Sequence, residues 1–228
     1  MYILGISAFQ SDSSAALLKD GRLIGAIEEE KIVEKKHTGD FPVNAIKFLL
    51  KKEDIDIRDV DHIAYFWNPF LGLHYRLGQI IKYLPGSLNF FNSHGSMWRD
   101  MVSINKRIQK EFGLNKQTYK FHNINHHLSH AASSYFLSDF KESAILTVDG
   151  SGEWKNTAIY SADGNNIRLI KDTTYPNSLG YVYASVTQYL GFRPNSGEGK
   201  VMGLSSYGNP EYIDIFRKII KLCPEGEY

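Results

Sequence analysis

Two short pairs, Asp20-Gly21 and Asp163-Gly164, each stand between apolar runs with strand character. An Asp-Gly pair flanked in this way is a strong hairpin signal, because both residues tolerate the positive φ that a two-residue turn demands. Around the first pair lie SAALLKD (14–20) and RLIGAIEEE (22–30), preceded by a short buried strand, YILGIS (2–7). Around the second lies NTAIYSADGNNIRLIKD (156–172), preceded by the strand AILTVDG (144–150). Superposing Ile3-Leu4 on Ile145-Leu146 sets Ser7 opposite Asp149, so in each copy a small or acidic loop joins the first strand to the second. Strand, loop, strand, tight turn, strand and helix thus occur twice, which predicts an α/β chain of two lobes, 1–143 and 144–228.

Helices fall between these strands. Pro42 opens a pattern with Ala45, Ile46, Leu49 and Leu50 on one face, and Pro suits a first helical position. HIAYF (62–66) reads as a further strand, 178–191 as a helix ended by Gly191, and 211–222 as an amphipathic helix. Residues 67–118, rich in aromatic and basic side chains, interrupt the scheme and read as an inserted helical cap with a solvated face. An acceptor-binding lid or a membrane-surface patch is the sharper alternative for the same segment.

Several function classes drop out on bulk grounds. The formal net charge is +1 and the basic residues form no run, so nothing favours nucleic acid. One cysteine, Cys223, excludes a disulfide framework and points to a reducing cytoplasm. The first residues, MYILGISAF, lack the basic start of a signal peptide, and no run is long and apolar enough to span a membrane.

The stretch HNINHHLSH (122–130) holds four of the eight histidines. His126 and His130 are spaced i, i+4, so a helix puts both on one face, as in helices that present two imidazoles to one ion. Packed or solvated imidazoles have the same spacing. A strand ends nearby at Asp149, and two histidines with one carboxylate form a facial set that leaves positions open for substrate oxygens. Iron(II), manganese and zinc all suit it. Gly150, Ser151, Gly152 and Glu153 follow as a loop able to face a metal or phosphate, or simply to turn. RPNSGEGKVMGLSSYGNP (193–210) gathers Gly197, Gly199 and Gly203 around Glu198 and Lys200. It is no Walker loop. It reads as a flexible loop or as a cradle for phosphate or carbamoyl oxygens, with Lys200 supplying charge.

Taken together, LGISAFQSDSSAALLKDGRL, EEEKIVEKKHTGDFP, NHHLSHAASSYF, ILTVDGSGEW and SLGYVYASVTQYLGFRPNSGEGKVMGLSSYG resemble the N-terminal part of the NodU/CmcH-type O-carbamoyltransferases, in family order. The resemblance implies a duplicated ribonuclease-H-like architecture of the ASKHA type, shared with actin, sugar kinases and heat-shock ATPases, with the second lobe incomplete. It implies an iron-type metal on His126, His130 and Asp149. It implies transfer of a carbamoyl group from carbamoyl adenylate to a hydroxyl of a sugar, antibiotic or nodulation factor. Carbamoyl adenylate would be made from ATP and carbamoyl phosphate by a YrdC-like domain absent from this chain, so the missing C-terminal half is an expected partner.

One departure concerns the base. Where the family carries histidine before its DSSAAL-like block, this chain has Ser11. Asp12 and His37 are then the catalytic candidates, with His37 as the substitute base, and Ser11 and Lys36 are substrate-binding candidates. Two rival readings remain at this level: a non-catalytic nucleotide- or metal-binding module on the same scaffold, and a kinase or ATPase of the actin-like class.

Overall fold

Strand β1 (Tyr2–Ser7) lies at the middle of a five-stranded sheet because its alternate residues Leu4 and Ile6 are apolar and fully covered. It pairs antiparallel with β2 (Ser14–Lys19), which pairs antiparallel with β3 (Arg22–Glu28). On its other side it runs parallel to β4 (His62–Tyr65), and β4 runs parallel to β5 (Lys120–Asn123). The order is β3-β2-β1-β4-β5. The β2–β3 turn has Asp20 at φ 50° and Gly21 at φ 78°, the sign pattern of a type I′ turn, as the Asp-Gly pair predicts.

One face of this sheet carries the core. Leu4, Ile6, Ala15, Leu17, Ile63 and Tyr65 point into it. Helix α1 (Glu30–Val33) is a single turn, and α2 (Val43–Lys52) lays Ala45, Ile46, Leu49 and Leu50 against the strands. Pro42 stands immediately before α2, at its cap. The segment 67–118 splits in character. Helix α3 (Leu73–Lys82) leaves the apolar side chains Leu77 and Ile81 exposed. Helix α4 (Ile104–Glu111) buries Ile104 and Ile108 in the core, and Met101 joins them, so this part is structural packing and not an add-on.

The chain divides into two compact units, Met1–Ser129 and His130–Tyr228, and the division falls inside helix α5 (His126–Tyr135). This is a computed structural model; it describes residues 1–10, 12–85, 95, 97–224 and 228. The second unit repeats the antiparallel meander with β6 (Glu142–Val148), β7 (Lys155–Asp163) and β8 (Asn166–Thr174) in that order. Asp163 pairs with Asn166, so the two-residue turn is Gly164-Asn165 and not Asp163-Gly164. The positive φ of 55° at Gly164 fits the first central position of a II′ turn, where glycine is the residue required. Helices α6 (Leu179–Tyr189), α7 (Glu198–Ser205) and α8 (Ile213–Ile219) follow. Among the described residues, no helix is long and apolar enough to cross a membrane.

Leu49 is 1% exposed on the inward face of α2. Replacing Leu49 by Ala removes its transfer energy and leaves a cavity, so chemical denaturation is expected to show a loss of about 2–5 kcal/mol, while Phe48→Ala on the exposed face is expected to change little.

Candidate functional site

Two candidate groups emerge, one in each unit. In the first, the loop between β1 and β2 and the loop after α1 are fastened together by backbone. Phe9 N–H donates to Gly39 O at 2.8 Å, and Ser13 N–H to Thr38 O at 2.9 Å. The buried Ser13 hydroxyl adds a second bond to Thr38 O at 3.0 Å. A Cβ at Gly39 would stand 2.2 Å from Gln10 O, so only glycine permits this approach. Tyr65, fully buried, donates its hydroxyl to Ala8 O at 3.1 Å and steadies the same loop from below; burial raises its phenol well above the usual range.

This fastening brings Asp12 and His37 together. His37 Nδ1 and Asp12 Oδ1 are 3.0 Å apart, on residues 25 positions apart in the chain. Both sit at positive φ, 59° and 55°, a conformation that non-glycine residues adopt at some strain. Glu30 Oε2 accepts the His37 backbone N–H at 3.0 Å, and Glu30 Oε1 accepts from Lys31 Nζ at 2.7 Å. Lys31 and that backbone N–H hold the Glu30 carboxyl below the usual carboxylate range. The preceding residue does something else. Glu29 is buried, and its carboxylate accepts from Asn44 N at 3.2 Å, Asn44 Nδ2 at 2.6 Å and Ala45 N at 2.7 Å, which caps the start of α2. The run Glu28-Glu29-Glu30 therefore ends β3 at Glu28, where the strand pattern had extended to residue 30. Lys36 is exposed, Lys35 pairs with Asp40 at 3.2 Å, and Ser11 lies outside the described residues.

In the second unit, β6 ends at Val148 and Asp149 begins the turn into β7. Asp149 Oδ2 is 3.3 Å from His130 Nε2, and Asp149 Oδ1 accepts the Gly150 N–H at 2.6 Å. The loop is braced from both sides. Asp149 N–H donates to Asn156 O at 2.8 Å, and Gly152 N–H to Lys155 O at 2.6 Å. Ser178 caps α6 through Tyr181 N–H and donates its own hydroxyl to Gly150 O at 2.7 Å. At Gly180 a Cβ would meet Gly150 N at 2.6 Å, so the first turn of α6 presses directly on the Asp149-Gly150 backbone. Ser151 Oγ and the Tyr181 hydroxyl are 2.8 Å apart, and Glu153 is buried.

His126 opens α5 one turn before His130, as the spacing predicts. Its buried ring lies against Phe66 and Trp67, with centroids 5.3 and 5.0 Å away. His130 is half exposed and His127 is fully buried.

The glycine-rich stretch departs from expectation. Glu198, Gly199, Lys200 and Gly203 lie within α7, and Gly197 stands at its start, so these residues are helix and not an open loop. The Lys200 and Val201 N–H groups both reach Gly197 O as helical bonds. Glu198 Oε1 accepts the Asn195 N–H at 2.7 Å and ties the preceding turn to the first helical residue, while each interior glycine costs the helix roughly 1 kcal/mol. Lys200 stays exposed.

Sequence reasoning missed Glu29, Glu30, Ser178 and Gly180. Ser178, an N-cap residue type placed just before the helical run, gave a signal at α6, whereas the partners of Glu29 and Glu30 are remote in sequence.

On acidification from neutral pH, the Glu30 contact is present above the ordinary carboxyl value of 4.5 and is lost as the pH falls through its lowered value. Amide exchange at His37, corrected for intrinsic rate, is expected to speed up there in wild type and to be fast already at neutral pH in Glu30→Ala.

Comparison with known proteins matches residues 2–228 to the family described as Carbamoyltransferase N-terminus. The uncharacterised protein sll1178 of Synechocystis sp. is 37% identical over 234 residues, covering 100% of this chain and 38% of that protein. The nodulation protein NolNO of Sinorhizobium fredii is 30% identical over 224 residues, covering 97% of this chain and 32% of that protein. Among solved structures, the ROK hexokinase of Thermus thermophilus is similar with a TM-score of 0.42 and 12% identity, over 94% of this chain and 72% of that one. The chain thus spans between 32% and 38% of the length of these two curated relatives, and it belongs to the carbamoyltransferase family, matching its N-terminal part.

Proposed function

We propose that the chain is the N-terminal part of an enzyme that transfers a carbamoyl group from carbamoyl adenylate to a hydroxyl of a small molecule such as a sugar, antibiotic or nodulation factor. Carbamoyl adenylate would come from ATP and carbamoyl phosphate in a YrdC-like C-terminal part of the whole protein. The observation that carries the reading is the His130–Asp149 pair at 3.3 Å, inside a chain matched end to end by the carbamoyltransferase family.

His126, His130 and Asp149 offer two imidazole nitrogens and a carboxylate, a donor set suited to iron(II), with manganese or zinc as alternatives. When bound, such an ion polarises a carbonyl or holds a phosphate oxygen. The contacts of Asp149 support the reading: its Oδ1 accepts the Gly150 N–H while Oδ2 lies 3.3 Å from His130 Nε2. In the second unit the loop Gly150-Ser151-Gly152-Glu153 and the exposed Lys200 would meet phosphate or carbamoyl oxygens, and in the first unit the exposed Lys36 is a further substrate-binding candidate. Ser11, beside Asp12, would contact substrate and not act as base.

The attacking hydroxyl must lose a proton. In this reading Asp12 accepts the Nδ1–H of His37 and thereby fixes the tautomer that leaves Nε2 free to take that proton. Glu30 keeps the His37 backbone in place while this happens.

Metal content of the anaerobically purified chain, wild type beside His126→Ala/His130→Ala, checks the ligand set. About one equivalent more metal is expected in the wild type than in the variant. Equal content in both would remove these ligands from the reading. In a protein of the relatives' full length, supplied with ATP, labelled carbamoyl phosphate and a panel of hydroxyl acceptors, His37→Ala is expected to slow label transfer about 10²–10⁴-fold. Full activity in that variant would place the base elsewhere.

A further inference from the structure

Away from both groups, the first sheet carries a second pair of histidines. His62 on β4 and His122 on β5 lie on one face of two parallel strands, two residues out of register, since His122 pairs with Ala64 and His62 with Lys120. His62 Nδ1 and His122 Nε2 face each other at 2.9 Å, with ring centroids 5.2 Å apart and planes inclined by 39°. We propose that His62 and His122 form a binding site for a divalent cation of the zinc type, which clips the edge strand β5 to β4.

The geometry favours an ion. Two nitrogen ligands of a tetrahedral zinc lie about 3.3 Å apart, given bonds of about 2.0–2.1 Å. The rings therefore need to open by only a few tenths of an ångström, and half-exposed side chains have room to do so. The proton accounting is neutral. Without the ion, one facing nitrogen carries a hydrogen and donates it to the other. With the ion, that hydrogen moves to the same ring's second nitrogen, so both facing lone pairs bind the metal and neither imidazole changes charge. Water or a ligand oxygen completes the coordination. Imidazole donors with oxygen select zinc-type ions over calcium or magnesium. The charges nearest in the ladder are Lys120, the exposed register partner of His62, and Asp61, which precedes it. The two strands set this pair by themselves, so it stands whether or not the carbamoyl-transfer reading holds.

Equilibrium dialysis of the whole chain against Zn²⁺ near neutral pH tests it in the His126→Ala/His130→Ala background, which removes the first histidine pair. About one equivalent is expected to be retained, and adding His62→Gln/His122→Gln is expected to abolish it. No retention in the background, or unchanged retention after the second pair of substitutions, overturns the site. A readout free of variants is the nitrogen-15 imidazole spectrum of the wild type during the same titration. Resonances of His62 Nδ1 and His122 Nε2 are expected to move together, and movement confined to other histidines overturns the proposal.

Discussion

The buried carboxylate of Glu29 is the junction on which the first unit depends. Its two oxygens take three N–H donors at the start of α2, while its own backbone N–H donates to Ser13 O at 2.9 Å. One residue thereby ties the end of β3, the loop before β2 and the first turn of the main packing helix. A carboxyl group that is 3% exposed is kept inside only when its oxygens are hydrogen-bonded. The N-terminus of α2 supplies the donors, through its unpaired N–H groups. Because this junction is rigid, the next residue, Glu30, is set where it can hold His37.

A comparable device works in the second unit with different chemistry. There the contact is backbone on backbone, with Gly180 against Asp149-Gly150 and the Ser178 hydroxyl bridging the two segments. In both units the loop joining the first strand of a meander to the second carries an aspartate, Asp12 in one and Asp149 in the other, and a neighbouring histidine faces it. A loop at the end of a buried strand has its ends fixed by the sheet, so a short acidic side chain there is held without needing a helix of its own.

Much of this was legible from residue order. The Asp-Gly pairs located both hairpins, period-two apolar residues located the strands, and the i, i+4 histidines located a helix that presents both. What could not be read was contact between distant residues. Nothing local to Asp12 or His37 announces their approach, which needs a glycine at 39 and a serine at 13 to let two loops touch. The stretch 193–208 misled for a different reason. Its glycines read as loop, but residues 198–205 form a helix in spite of them, and the Glu198 carboxylate accepts the Asn195 N–H of the preceding turn. Likewise Ile104 and Ile108 look like one face of a surface helix until the sheet beneath is known, because periodicity shows that a face is apolar and not what covers it.

Strand β6 alternates buried Ile145 and Thr147 with Leu146 and Val148, which are 64% and 52% exposed. Among the described residues, the buried apolar cluster that includes Leu4, Leu49 and Ile108 lies entirely within the first unit. Residue for residue, the second unit withdraws less hydrocarbon from water, so its opening requires less free energy. Local opening, as followed by hydrogen exchange, is then expected more readily in the second unit than in the first, and Trp67 and Trp154, one in each unit, serve as separate reporters.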